Sequence, residues 1–128
     1  MTSWRALLGV CLTLAPTLSW AEGILTFACN ATASCTPDGQ CDARDRQVDF
    51  VTKPVNIGPS GEGTYTITYD GATFAMRNID GPGPLLWSEG RGDAQVLLLT
   101  SEKTLLWQHQ DSATGASDLT FLTCEVTP

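Results

Sequence analysis

The side chains in this sequence best equipped for chemistry are its cysteines, Cys11, Cys29, Cys35, Cys41 and Cys124. If Cys11 leaves with a cleaved leader, four remain, and an even set in an exported chain implies two disulfides. A zinc site would want a close C-x2-C pair. The C-x5-C-x5-C spacing of Cys29, Cys35 and Cys41 lacks one, and the only His is His109, so no metal or other cofactor is expected.

His109 is also the only imidazole a catalytic triad could use. Flanked by Gln108 and Gln110 on a predicted strand, with no nucleophile elbow ahead of it, it is expected to be a half-exposed strand residue. Gly58-Pro59-Ser60-Gly61-Glu62-Gly63 sets a Ser among glycines, yet neither the strand-to-helix turn of a hydrolase nor the third Gly and helix of a phosphate loop follows. The segment reads as a plain loop. Asp38, Asp42, Asp45 and Asp49 could offer oxygens to calcium, but their spacing matches no calcium loop. Arg44 and Arg46 lie among them, so a solvated, mixed-charge segment is expected. Arg91-Gly92-Asp93, a tripeptide that adhesion receptors read, is equally good turn chemistry. No catalytic residue is assigned, and the chain is read as more a binder than an enzyme.

Two tryptophans outside the leader, Trp87 and Trp107, each follow a Leu pair. Core packing is the default for both. An exposed ring would instead be the natural anchor of a binding surface.

These groups must be carried by short extended segments. From Ile24 onward, apolar or alternating runs are separated by Gly, Pro, Asn and Asp, with no sustained 3.6-residue period. Thr64 to Asp70 is the clearest strand, with Tyr65, Ile67 and Tyr69 on one face and Thr64, Thr66 and Thr68 on the other. Asp70-Gly71 then turns the chain into a second strand, Thr73 to Arg77. Further strands are predicted at Ile24 to Cys29, Gln47 to Thr52, Leu85 to Ser88, Gln95 to Ser101, Thr104 to Gln110 and Asp118 to Val126. The expectation is an all-β domain of about eight short antiparallel strands, a meander closing as a small barrel or a sandwich.

Strand phase bears on the disulfides. Cys29 shares a face with Leu25 and Phe27, and Cys124 shares one with Leu122 and Val126, so both thiols point inward. A Cys29 to Cys124 bridge would join the first and last strands, leaving Cys35 to Cys41 across the Pro37-Asp38-Gly39 turn. Cys29 with Cys41 and Cys35 with Cys124 stays open as an alternative.

The beginning of the chain reads as an export signal. Arg5 is the only charged side chain before Glu22, an apolar run extends from Ala6 to Leu18, and Ser19 and Ala21 suit cleavage ahead of Glu22. Residues 1–21 are thus expected to be removed, leaving 22–128 as one domain, periplasmic or secreted, monomeric and without membrane insertion. The formal charge is −7. Losing Arg5 leaves six basic residues against fourteen acidic ones, or −8, which disfavours nucleic acid and anionic membranes and favours a basic partner.

The leader, Thr26-Phe27-Ala28-Cys29, two Cys bracketing a turn, and Phe121-Leu122-Thr123-Cys124 together resemble small exported Cys-containing β proteins of alphaproteobacteria. More loosely, the chain is similar to periplasmic inhibitors of c-type lysozyme. That resemblance implies an eight-stranded barrel, an early Cys joined to one near the C-terminus, and a Ser-Gly-x-x-Tyr loop that plugs the lysozyme cleft. Ser60-Gly61-Glu62-Gly63-Thr64-Tyr65 is the nearest match, with one residue more between Gly and Tyr, making Ser60 and Tyr65 candidate binding residues beside Trp87 and Trp107. The functional expectation is a non-enzymatic interaction or ligand-binding module of the bacterial envelope, its partner an unidentified protein or small ligand. The alternatives are an inhibitor of a basic wall hydrolase and an enzyme without a recognisable motif. A barrel filled by Tyr65, Ile67, Phe121 and the tryptophans would have no interior room for a ligand.

Overall fold

The computed structural model describes residues 23–128, so the expected leader, its cleavage site and Cys11 lie outside the described residues. Eight strands follow one another: β1 (Leu25–Cys35), β2 (Cys41–Ile57), β3 (Gly63–Tyr69), β4 (Ala72–Asn78), β5 (Leu85–Trp87), β6 (Asp93–Leu99), β7 (Thr104–Asp111) and β8 (Ser117–Thr127). Each pairs antiparallel with the next, and β8 pairs back onto β1, closing a barrel in meander order. Closure removes the open sheet edges that a sandwich would have to protect. No helix occurs among the described residues.

The alternation that predicts the strands also fills the barrel. Tyr65, Ile67 and Tyr69 of β3 are all buried, as the period of two requires. Phe27, Phe50, Ile67, Leu97 and Leu105 are at most 1 % exposed and occupy the centre. Phe50 packs against Tyr69 and Trp107 with ring centroids 5.2 Å away in each case. Phe121 does not join them. It sits one position off the inward pair Leu122 and Cys124 and is 39 % exposed on the outer wall.

Turns and bulges set the shape. Asp70 and Gly71 both take positive φ, 50° and 77°, giving the β3–β4 hairpin the twist its strands need. Gly63 opens β3 at φ 137°, where an added Cβ would stand 2.2 Å from the Asn56 carbonyl oxygen, so only glycine fits. The register of β1 shifts between Ala31 and Ala33 against both neighbours. That bulge reverses the strand's parity, bringing Ser34 rather than Ala33 to the inner side.

Both disulfides join directly paired residues. Cys29 faces Cys124 across the β1–β8 seam, and Cys35 faces Cys41 at the base of the β1–β2 hairpin. The first closes a 95-residue separation, contributing about 4 kcal/mol through the unfolded chain, and the second, spanning six residues, about 2 kcal/mol.

Candidate binding mouth

The barrel's two ends are built differently. One is bordered by the β2–β3, β4–β5 and β6–β7 connections and is closed by side chains that hold the loops down. Tyr65 donates its hydroxyl to the Gly61 carbonyl at 2.6 Å, and the Asn78 amide donates to the carbonyls of Gly61 (3.1 Å) and Gly81 (2.8 Å). Both side chains are buried. The Ser60 loop therefore folds inward on itself: the Ser60 N–H donates to Glu62 at 3.0 Å and the Gly58 N–H to the Glu62 carbonyl at 2.8 Å. Ser60 is exposed, but Tyr65 presents no ring or hydroxyl to a partner.

The other end, bordered by the hairpins β1–β2, β3–β4 and β7–β8 and by the β5–β6 connection, is open. Two adjoining hollows of about 280 Å3 and about 520 Å3 meet there, both bounded by Arg46, Trp107, Asp118 and Thr120. Trp107 is half-buried between them, while Trp87 lies in the core with its indole N–H on the Tyr69 hydroxyl at 3.1 Å. The two tryptophans thus divide the roles that their identical sequence settings left unresolved.

Beside Trp107 runs a connected polar network. The Trp107 indole N–H donates to Gln95 Oε1 at 2.7 Å, and Gln95 Nε2 donates to the Asp93 carboxylate at 3.1 and 3.2 Å. Asp93 also accepts the Glu89 N–H at 2.8 Å and meets His109 Nε2 at 2.7 Å. His109 Nδ1 lies 3.5 Å from Asp118. Burial pushes the Asp93 carboxyl upward, but the hydrogen bonds from Glu89, Gln95 and His109, with the charge of His109, outweigh it and leave the group below its ordinary range.

Both ring nitrogens of His109 face carboxylates, Nε2 that of Asp93 at 2.7 Å and Nδ1 that of Asp118 at 3.5 Å, and no Ser or Thr hydroxyl bonds to the ring among the described residues. Asp93 is turned into the network with only 14 % of its side chain exposed. Arg91-Gly92-Asp93 is accordingly a turn whose acid is already occupied. Asp38 accepts from Thr36 within the β1–β2 turn, and no group of three or more His, Cys, Asp or Glu suited to a metal occurs among the described residues.

The Asp93–His109–Asp118 set was missed from sequence because its members lie far apart and none carries a motif. Strand parity holds the signal. His109 is in phase with Leu105 and Trp107, Asp93 with Gln95 and Leu97, and Asp118 with Leu122 and Cys124. The pairings Gln95↔His109 and His109↔Asp118 then bring all three to one end.

Fold and site together define a closed, antiparallel, eight-stranded barrel with a filled interior, one sealed end and one open polar mouth. No protein-family model, curated protein or solved structure matches the chain.

Proposed function

We propose that this chain is an exported, non-enzymatic interaction or ligand-binding module of the bacterial envelope, engaging its partner at the open mouth of the barrel. The observation that supports this is the asymmetry of the ends. Side chains seal one, whereas the other keeps a half-buried Trp107 beside hollows that the packed core does not fill. Two disulfides are compatible with an oxidising extracytoplasmic compartment, and an assignment to the periplasm or the medium extends that. The direct test places a benzophenone side chain at position 118 or, as control, at position 60, and irradiates living cells. Adducts are expected from position 118 alone. Adducts only from position 60, or none from either together with no small ligand bound at Trp107, would overturn the reading.

A second reading, inhibition of a basic wall hydrolase, draws on the rim. Asp45, Asp70, Glu89 and Asp118 surround the hollows against Arg44 and Arg46, and Asp70 is paired with Arg46. A basic partner would then meet the mouth rather than the Ser60 loop. Binding of such a hydrolase should weaken as salt rises, and salt-independent binding would count against it.

A further inference from the structure

Resting on the first reading above, the geometry points to a short neutral saccharide as the ligand of the mouth.

The argument starts from which polar groups there are already used. Gln95 and the Trp107 indole are committed to each other and to Asp93, and His109 to its two carboxylates. Other groups have capacity left. The Glu89 carboxylate has no side-chain partner among the described residues, and Asp118 spends one oxygen on a long 3.5 Å contact with His109. On the donor side, Tyr69 accepts from Trp87, but its own proton has no acceptor among the described residues although the residue is only 5 % exposed beside the smaller hollow. Arg44 is unpaired among the described residues and borders the larger hollow, where Thr120 and Ser34 share one hydroxyl contact at 3.5 Å.

Free acceptors and free donors therefore line the two hollows that share Trp107. An anion would meet the carboxylates of Asp45, Asp70, Glu89 and Asp118. A cation would face Arg44 and Arg46 and leave the Tyr69 proton still without an acceptor. A long apolar ligand has nowhere to go, because Phe50, Leu97 and Leu105 fill the barrel beneath. Sugar hydroxyls both donate and accept at close spacing, and the C–H face of a pyranose suits a half-buried indole.

The test uses the purified oxidised protein, labelled with nitrogen-15, and follows the indole N–H signals of Trp107 and Trp87. The probes are cellobiose, maltose and chitobiose, with arginine hydrochloride and inorganic phosphate as charged alternatives. One of the disaccharides should shift the Trp107 signal saturably, shift the Trp87 signal with the same midpoint through the Tyr69 hydroxyl that it bonds, and keep its affinity when sodium chloride is raised. Asp118→Asn, an exposed substitution outside the core, should weaken that binding about tenfold, as loss of one charge-assisted hydrogen bond does. If no disaccharide shifts Trp107, or if arginine or phosphate saturates it with an affinity that falls as salt rises, the saccharide assignment is overturned. Adducts from position 118 alongside such a failure would keep the mouth as an interface and remove only the ligand class. Failure of both removes the mouth itself.

Discussion

The sealed and open ends solve the same problem, how to finish a barrel, with opposite uses of polar side chains. At the sealed end Tyr65 and Asn78 reach out from the strands and bond loop carbonyls, so the loops are pulled over the core. At the open end Trp107, Gln95, Asp93 and His109 bond chiefly to one another. Their geometry is fixed by bonds within the mouth, with the Glu89 N–H as the one loop group they hold. Polar groups spent on loops contribute to stability, and polar groups spent on each other build a preorganised surface. The two ends should therefore respond to substitution in different currencies, stability on one side and binding on the other.

The largest expected effect tests what both ends depend on. Replacing Cys29 and Cys124 with Ser should cost about 4 kcal/mol by denaturant titration, against about 2 kcal/mol for Cys35 and Cys41. The first opens the β1–β8 seam that both ends share, and the second frees only one hairpin beside the mouth. Equal losses would show that the barrel does not rely on its seam. Next, Asn78→Ala should cost about 2 kcal/mol, since one buried and one part-buried hydrogen bond to loop carbonyls vanish together while a buried Oδ1 that has no partner among the described residues is removed, and Tyr65→Phe about 1 kcal/mol. Neither should alter events at the mouth. At the open end, Asp118→Asn should change stability by less than about 0.5 kcal/mol while weakening ligand binding. A sealed-end variant that lost binding at unchanged stability would break the comparison.

Most of the fold was legible because its signals are local. Alternation in Thr64 to Tyr69, the Asp70-Gly71 turn and the shared phase of Cys29 and Cys124 with apolar neighbours each need only a few adjacent residues, and among the described residues the eight strands and both disulfide pairings follow the expectation. Two strands extend several residues past their predicted ends, β1 to Cys35 and β2 from Cys41 to Ile57. Charges along Asp42 to Arg46 and Pro54 hid the ends of β2, which the β1–β2 hairpin and a register shift after Pro54 accommodate. Barrel and sandwich could not be told apart, since closure depends on β1 meeting β8 across the whole chain. The site was harder still. Tyr65 and Trp107 carry polar handles usable in either direction, and only the pairing of strands decides which hydroxyl or indole is consumed within the fold. Phe121 makes the same point, because one residue of phase separates the core from the outer wall.

The smallest expected effect, and the sharpest for the mouth, is in acid. Asp93 is held below its ordinary carboxyl range in the folded protein by the hydrogen bonds and charge that overcome its burial, whereas in the unfolded chain it titrates near about 3.9. Over the interval between those two values the unfolded state binds the extra proton, so stability rises with pH there. The contribution of Asp93 is fully present above about pH 5 and is lost as pH falls through the folded value, below the ordinary carboxyl range. Asp93→Asn should accordingly flatten the acid limb of a stability-against-pH curve, and His109→Gln should flatten it in part, since His109 supplies one hydrogen bond and the charge. Asp38 is also lowered, first by the Thr36 hydroxyl, but it is fully exposed on the β1–β2 hairpin. Asp38→Asn is thus the matched control for a carboxylate outside the network. An acid limb that responds to Asp38→Asn as much as to Asp93→Asn would mean that the mouth network adds nothing a lone surface hydrogen bond does not.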